Sequence, residues 1–336
     1  MTICKQAMSV AREQSKQDGF VVIVVLCMVM MLSVLLLGFH YKARMDLRCV
    51  DDFRQSEQAR QCARAGFNIA IATLRGSADG PANAPWLSLL SGQKTFAVGE
   101  GTCAVTVCGE TGKLNVNRLK DKSGKLNRLA IERVLRLIDL LNRQKGNPAH
   151  IGYGLVPAII DWTDRDNDVT ILPFVRYQAG GAQTNDAGRA ESSGSCRNGP
   201  FETTEELLLV TGMTPEIFER LSDYVTVYGD GKVNVNYAPA LVLETLSKDV
   251  DASLAQRIVD RRQLKPFESI AELRDLPGMT EGLYEAIRRG TTVEPLADCY
   301  QVIARGRWDQ ASRTIVAMLG TDTATGNVET ILYKEF

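Results

Sequence analysis

The sequence predicts an α+β fold in which a long N-terminal helix packs on an antiparallel sheet and a large α-helical region is inserted into that sheet. Three observations carry this. Residues 20–38, FVVIVVLCMVMMLSVLLLG, form an uncharged run that continues into an amphipathic stretch ending near Arg75. β-prone segments occur before residue 110 and after residue 291. Between them lies a mostly helical region that contains a repeated pattern.

The nineteen uncharged residues from Phe20 to Gly38, at about 1.5 Å per helical residue, nearly span a hydrocarbon core of about 30 Å. The leader before them is polar, with Lys5, Arg12 and Lys16 against Glu13 and Asp18. An ordinary secretory signal has a shorter apolar region, with its small-residue site after it. Here the suggestive junction, Asp18-Gly19-Phe20, comes before the run, and an uncleaved membrane anchor is the plainer reading. Lys42, Arg44, Arg48 and Arg54 beyond the run balance the basic leader, so charge asymmetry does not set the orientation. From Phe39 to Arg75 there is no Pro and no Gly except Gly66. Ala59, Cys62, Ala63, Phe67, Ala70, Ile71 and Leu74 recur at helical spacing. One helix therefore runs from the bilayer into a soluble domain, where its apolar stripe must meet a sheet or neighbouring subunits. That architecture suggests a pilin-like protein.

The 336 residues, 45% of them hydrophobic, suffice for one large or two modest domains beyond the anchor. A net charge of −1 argues against whole-protein affinity for nucleic acid. Of eight cysteines, six (Cys49, Cys62, Cys103, Cys108, Cys196 and Cys299) lie beyond the membrane run. Disulfides in an oxidising compartment and buried free thiols both fit them. Cys103 and Cys108 fall on opposite faces of a regular strand, and no CxxC spacing points to zinc.

In chain order, residues 76–85 read as a loop. Thr95–Val98 and Thr102–Cys108 form a hairpin around Gly99-Glu100-Gly101. Lys113-Leu114-Asn115-Val116-Asn117 recurs as Lys232-Val233-Asn234-Val235-Asn236. Leu126, Leu129, Val134, Leu137, Ile138 and Leu141 mark an amphipathic helix. Residues 178–199 form a long Gly/Ser/Ala/Asn-rich loop. Pro200-Phe201-Glu202 through Glu206-Leu207 to Gly212-Met213-Thr214 returns sixty-six residues later as Pro266-Phe267-Glu268, Glu272-Leu273 and Gly278-Met279-Thr280. Each copy reads as a helix-hairpin-helix. Residues 238–263 supply two helices between the copies. Tyr300–Ala304, Arg313–Leu319 and Val328–Tyr333 are three further β-prone runs. Two unrelated domains in series are the alternative to an inserted domain.

Asp161-Trp162-Thr163-Asp164-Arg165-Asp166-Asn167-Asp168 is the most site-like run. Alternating carboxylates suit a hard cation such as Ca²⁺, although Val169 and Val175 rule out an EF-hand. Helix caps and turn formers in a solvated loop explain the same aspartates. The hairpins, with Arg257, Arg261, Arg262, Lys265, Arg288 and Arg289 nearby, could in principle hold a DNA phosphate. However, Thr214 and Thr280 stand where a phosphate-cradling turn has a second glycine, and Glu216 and Glu281 follow. A structural role is preferred. With two histidines and no HExxH, G-x-S-x-G or P-loop pattern, the chain does not read as an enzyme, and Glu205-Glu206 reads as a solvated helix face.

Taken together, these features resemble the GspK-type minor pseudopilins of bacterial type II secretion systems over nearly the whole chain. The matching residues are Gly19 before an apolar helix, Asn115–Asn117 and its echo at Asn234–Asn236, Asp161-Trp162 with its acidic continuation, Asn198-Gly199-Pro200-Phe201 before Glu206-Leu207, and the second Pro266-Phe267 hairpin. The resemblance implies that a prepilin peptidase cuts between Gly19 and Phe20 and that the new amine is methylated. Val24 stands where most pseudopilins carry a glutamate, a substitution typical of this subfamily and suited to a tip position. It also implies calcium at Asp161, Asp164, Asp166 and Asp168. Gln183, Cys299 and Gln301 depart from the expected pattern.

The domains expected are a leader at 1–19, a transmembrane helix at 20–40, a pilin-like α/β domain from 41–110 and 291–336, and an inserted helical domain at 111–290. The expected partners are other minor pseudopilins of I and J type, the major pseudopilin, the prepilin peptidase and the secretion machinery, with no nucleic acid. The expected location is the inner membrane, with a single span and a periplasmic C-terminal domain. A membrane-anchored DNA-binding protein of the competence kind and a type IV pilus minor pilin are the alternatives.

Overall fold

The computed structural model describes residues 2–75 (backbone only before Phe20), 92–121, 123–144, 150–164, 170–172, 197–294, 298–322 and 327–336. Helix α1 (Thr2–Arg75) is continuous over 74 residues. Its large apolar side chains from Phe20 to Phe53 are exposed, whereas Ala59, Cys62, Ala63, Phe67, Ala70 and Leu74 are buried. The change marks where the helix meets the sheet.

That sheet has five strands, β1 (Lys94–Val98), β2 (Gly101–Gly109), β7 (Cys299–Trp308), β8 (Ala311–Asp322) and β9 (Asn327–Glu335), in the spatial order β1-β2-β7-β8-β9. Every pairing is antiparallel. Cys103, Val105 and Val107 on β2, Val302 and Ala304 on β7, and Ile315, Ala317 and Leu319 on β8 alternate inward and pack with Phe67, Ala70 and Leu74 of α1. Cys103 is buried and Cys108 exposed, as their odd separation requires. The helix lies directly on the sheet at Gly306. A β-carbon there would sit 2.1 Å from the Ala59 carbonyl oxygen and 2.3 Å from the Ala63 nitrogen. Small residues on both surfaces permit that approach.

The chain leaves the sheet after β2 and re-enters on β7, which pairs with β2 itself (Cys108↔Gln301). The intervening, mostly helical region therefore falls, in chain order, between two strands that are neighbours in the sheet. It comprises β3 (Leu114–Asn115), α2 (Arg128–Arg143), α3 (Leu155–Thr163), α4 (Pro215–Ser222), β4 (Val225–Thr226), β5 (Val233–Asn234), α5 (Ala240–Thr245), α6 (Ala252–Leu264), α7 (Glu281–Arg288) and β6 (Thr291–Thr292). A second core, which includes Ile131, Leu137, Ile160, Leu207, Leu243 and Ile287, holds these elements together.

Two local expectations change. On α2, Leu129 is partly exposed, and Arg133 is buried on the face that Val134, Leu137 and Leu141 share. The guanidinium earns that position by reaching the carbonyls of Arg289 and Gly290. In both repeats the first helical segment is 3₁₀, at Thr204–Leu209 and Ile270–Asp275. Six residues confined between two turns suit the tighter helix.

Glu205 and Glu206 are also not a merely solvated face. Glu205 takes Lys334 of β9 at 2.8 Å, which ties the insertion to the sheet, and Glu206 takes Arg197 at 2.7 Å. Tyr237 and Tyr300 meet edge-on at 6.2 Å across the same boundary.

Candidate functional site

The inserted region is built twice on one plan. β3 pairs in parallel with β4 (Leu114↔Val225), and β5 with β6 (Val233↔Thr291). In the first unit Asn117 Nδ2 donates to the carbonyls of Phe201 and Val227, both at 2.9 Å, and its Oδ1 accepts from Phe201 N. In the second, Asn236 Nδ2 donates to Phe267 and Val293, and its Oδ1 accepts from Phe267 N. Asn115 and Asn234 each turn their own strand, accepting from Asn117 N at 2.9 Å and Asn236 N at 3.0 Å. Their amides also reach across to Tyr228 and to Glu294. The sequence echo exposes these asparagines, but nothing in it reveals that their amides substitute for strand partners.

Each unit then runs through a 3₁₀ turn and a glycine with positive φ, Gly212 at 87° and Gly278 at 91°, into α4 or α7. Thr214 and Thr280 are the caps of those helices, accepting from Ile217 N and Leu283 N, both at 3.3 Å. The helix N-termini are thus satisfied from within the chain and carry Glu216 and Glu281 in their first turns. Four of the basic residues nearby are engaged too. Arg262 donates to the Val235 carbonyl, Arg261 pairs with Glu272, Lys265 with Glu268 and Arg288 with Glu285. Burial lowers the Arg262 pKa to about 10.

Of the four candidate calcium ligands, Asp161 and Asp164 are described; Asp166 and Asp168 lie outside the described residues. Asp161 is in the last turn of α3 and accepts from Thr170 N at 2.8 Å. Asp164 is the C-cap of α3, is buried, and pairs with Lys120 at 2.5 Å. Among the described residues, no three acids, cysteines or histidines converge as ligands. The chemistry of the donors nevertheless fits a hard cation. Two carboxylates at a helix C-terminus, itself electronegative, need neutralising. Lys120 does this for Asp164 and was not legible as a participant from the sequence.

Across residues 20–75, α1 is long and apolar enough to cross a membrane. Beyond the uncharged run that ends at Gly38, Phe39, Tyr41, Met45, Leu47, Val50 and Phe53 remain exposed. The sheet does not cover them.

Two family models, both described as Type II secretion system (T2SS), protein K, match residues 112–230 and 233–290, together more than half of the chain. The chain belongs to this family. It is a GspK-type minor pseudopilin of the type II secretion system. The boundary between the two matches falls where the structure passes from its first asparagine-clamped unit to its second. The fold is also that of a solved structure, the GspK-GspI-GspJ complex from the enterotoxigenic Escherichia coli type 2 secretion system. The match has a TM-score of 0.63 and 17% identity, and covers 85% of this pseudopilin and 99% of that chain. None of the curated proteins compared matches it significantly.

In a pseudopilin, the exposed apolar half of α1 is the element that an inner-membrane anchor requires, and the covered half fixes it to its own globular part.

Proposed function

We propose that this pseudopilin works without catalysis at the tip of a short periplasmic pseudopilus, joined to minor subunits of the I and J types, and helps to initiate its assembly. The observation that carries this reading is the division of α1. A helix that is apolar all round for its first part and packed on a sheet for its second can leave the bilayer and join a bundle of like helices without refolding its head. The likeness to a chain of the GspK-GspI-GspJ complex supports the choice of partners. Val24, in place of a membrane-buried carboxylate, supports a subunit that need not dock on one before it. The wide insertion, opening from the sheet between β2 and β7, would obstruct further stacking on top of it.

Processing by a prepilin peptidase between Gly19 and Phe20, methylation of Phe20, and helix-hairpin-helix character of the two repeats as purely structural units belong to the same reading. So does a calcium ion held by Asp161, Asp164, Asp166 and Asp168, which would supply charge neutralisation.

The test is the intact mass and N-terminal sequence of the protein made with and without the peptidase, together with affinity purification beside the I- and J-type subunits. A mature chain starting at Phe20 only when the peptidase is present, recovered with both partners, is the expected result. A chain starting at Met1 in both cases, or one that never recovers the partners, would overturn the reading.

A further inference from the structure

Arg133 is 3% exposed, yet the two acceptors of its guanidinium are backbone carbonyls, Gly290 O and Arg289 O, both at 2.8 Å. Its Nε has no hydrogen-bond partner among the described residues. The side chain lines a cavity of about 160 Å³ between the N-terminal turn of α2 and the turn before β5. Buried cations ordinarily meet a counter-charge. The other charges on this cavity, Asp230 and Lys232, pair with each other at 3.4 Å, which leaves the lining with one net positive charge.

We propose that this cavity is a binding site for one small carboxylate, held by Arg133. Three features select that chemistry. The guanidinium keeps N–H groups beyond the two that meet Arg289 and Gly290, and a planar oxyanion is the partner Arg binds best. Leu129 and Val134 form an apolar wall against which a short alkyl group packs. Asp230 on the same lining disfavours a dianion such as phosphate, whereas a monoanion balances the site. The N-terminal end of α2, whose Asn127 cap also lines the cavity, adds a favourable dipole. Burial and the neighbouring Arg136 lower the Arg133 pKa to about 10, consistent with a guanidinium held without a carboxylate of its own. The carboxylate is either a free ion or the end of an acidic side chain from a neighbouring subunit. The inference does not depend on the position of this subunit in the pseudopilus.

The experiment is thermal unfolding and calorimetric titration of the full-length protein in detergent with acetate, propionate, phosphate or chloride at constant ionic strength. Acetate and propionate should bind saturably and raise the midpoint by a few degrees, whereas phosphate and chloride should not. Arg133→Met removes the cation, and Leu129→Trp fills the partly exposed mouth of the cavity and leaves Arg133 in place; each should abolish the response. Equal shifts from all four anions, or an acetate response that survives both substitutions, would overturn the proposal. The source is read separately, from copurification with partner subunits. Loss of partner in the presence of acetate, for the wild type but not for Leu129→Trp, identifies a partner's side chain, and recovery unaffected by acetate identifies a free ion.

Discussion

The amide of Asn117 serves the backbone of Phe201 as an adjacent strand would: Oδ1 accepts the Phe201 N–H and Nδ2 donates to the Phe201 carbonyl, each at 2.9 Å. Asn236 does the same for Phe267. Replacing either asparagine with alanine strips partners from one backbone N–H and two carbonyls, and should destabilise the fold by about 2 kcal/mol. Asn117→Asp should be worse than Asn117→Ala, because it sets a carboxylate against the carbonyls of Phe201 and Val227. Urea unfolding of the single and double variants would check this. A loss below about 0.5 kcal/mol would mean that water replaces the clamp without penalty.

Lys120 and a bound calcium ion would answer the same need at Asp164. The Lys120–Asp164 pair is 20% and 5% exposed, so Lys120→Met leaves a carboxylate in a largely dry site and should cost about 3 kcal/mol in a calcium-free buffer. If the acidic run binds calcium, saturating Ca²⁺ should recover much of that loss and stabilise the variant more than the wild type. Asp161→Asn should weaken the calcium response in both backgrounds. Thermal unfolding across a calcium titration gives the result; identical midpoints with and without the metal in all variants would remove calcium from the account.

Much of this architecture is legible in the sequence, because each legible part rests on a local pattern. The apolar run and the stripe from Ala59 to Leu74 give α1. β-Prone runs between turn residues give the five strands, and the return of the Pro-Phe-Glu pattern after sixty-six residues gives the two units. What stays hidden depends on partners distant in the chain. Arg133 falls on an apolar face by spacing, and only the fold reveals that the carbonyls 156 and 157 residues away accept from it. Lys120 lies 44 residues from Asp164 and Glu205 129 residues from Lys334. The 3₁₀ geometry of Thr204–Leu209 is equally hidden, because residues that favour an α-helix also fill a short, tightly bounded turn.

The thiol of Cys103, wholly buried between α1 and β2, has its pKa raised from 9.0 to about 11 by burial, and Cys62 beside it is also raised. An acid whose folded pKa is raised contributes stability below its unfolded pKa and loses it as pH rises through the folded value. Stability should therefore fall by about 2 kcal/mol between pH 9 and 11 on account of Cys103 alone. Cys103→Ala should flatten that slope in alkaline urea titrations. In the native protein at pH 8, Cys62 and Cys103 should resist iodoacetamide while the exposed Cys49 reacts. Equal labelling of all three would mean that the helix lifts readily from the sheet.

Gly306→Ala tests that contact directly. The added methyl would fall 2.1 Å from the Ala59 carbonyl oxygen and 2.3 Å from the Ala63 nitrogen, and both are backbone atoms of α1 that cannot rotate aside. Either the helix rises, opening the core of Phe67, Ala70 and Leu74, or β7 moves away from it. Overpacking of this kind typically costs about 1–3 kcal/mol, and a clash with backbone belongs at the upper end. The loss should be confined to the helix–sheet core. Hydrogen exchange should quicken in β2, β7 and β8, while the asparagine-clamped units, whose core is separate, keep their protection. Uniform loosening of both cores would instead mean that the two unfold as one cooperative unit. An unchanged exchange pattern with unchanged stability would contradict the close seating of α1 on Gly306.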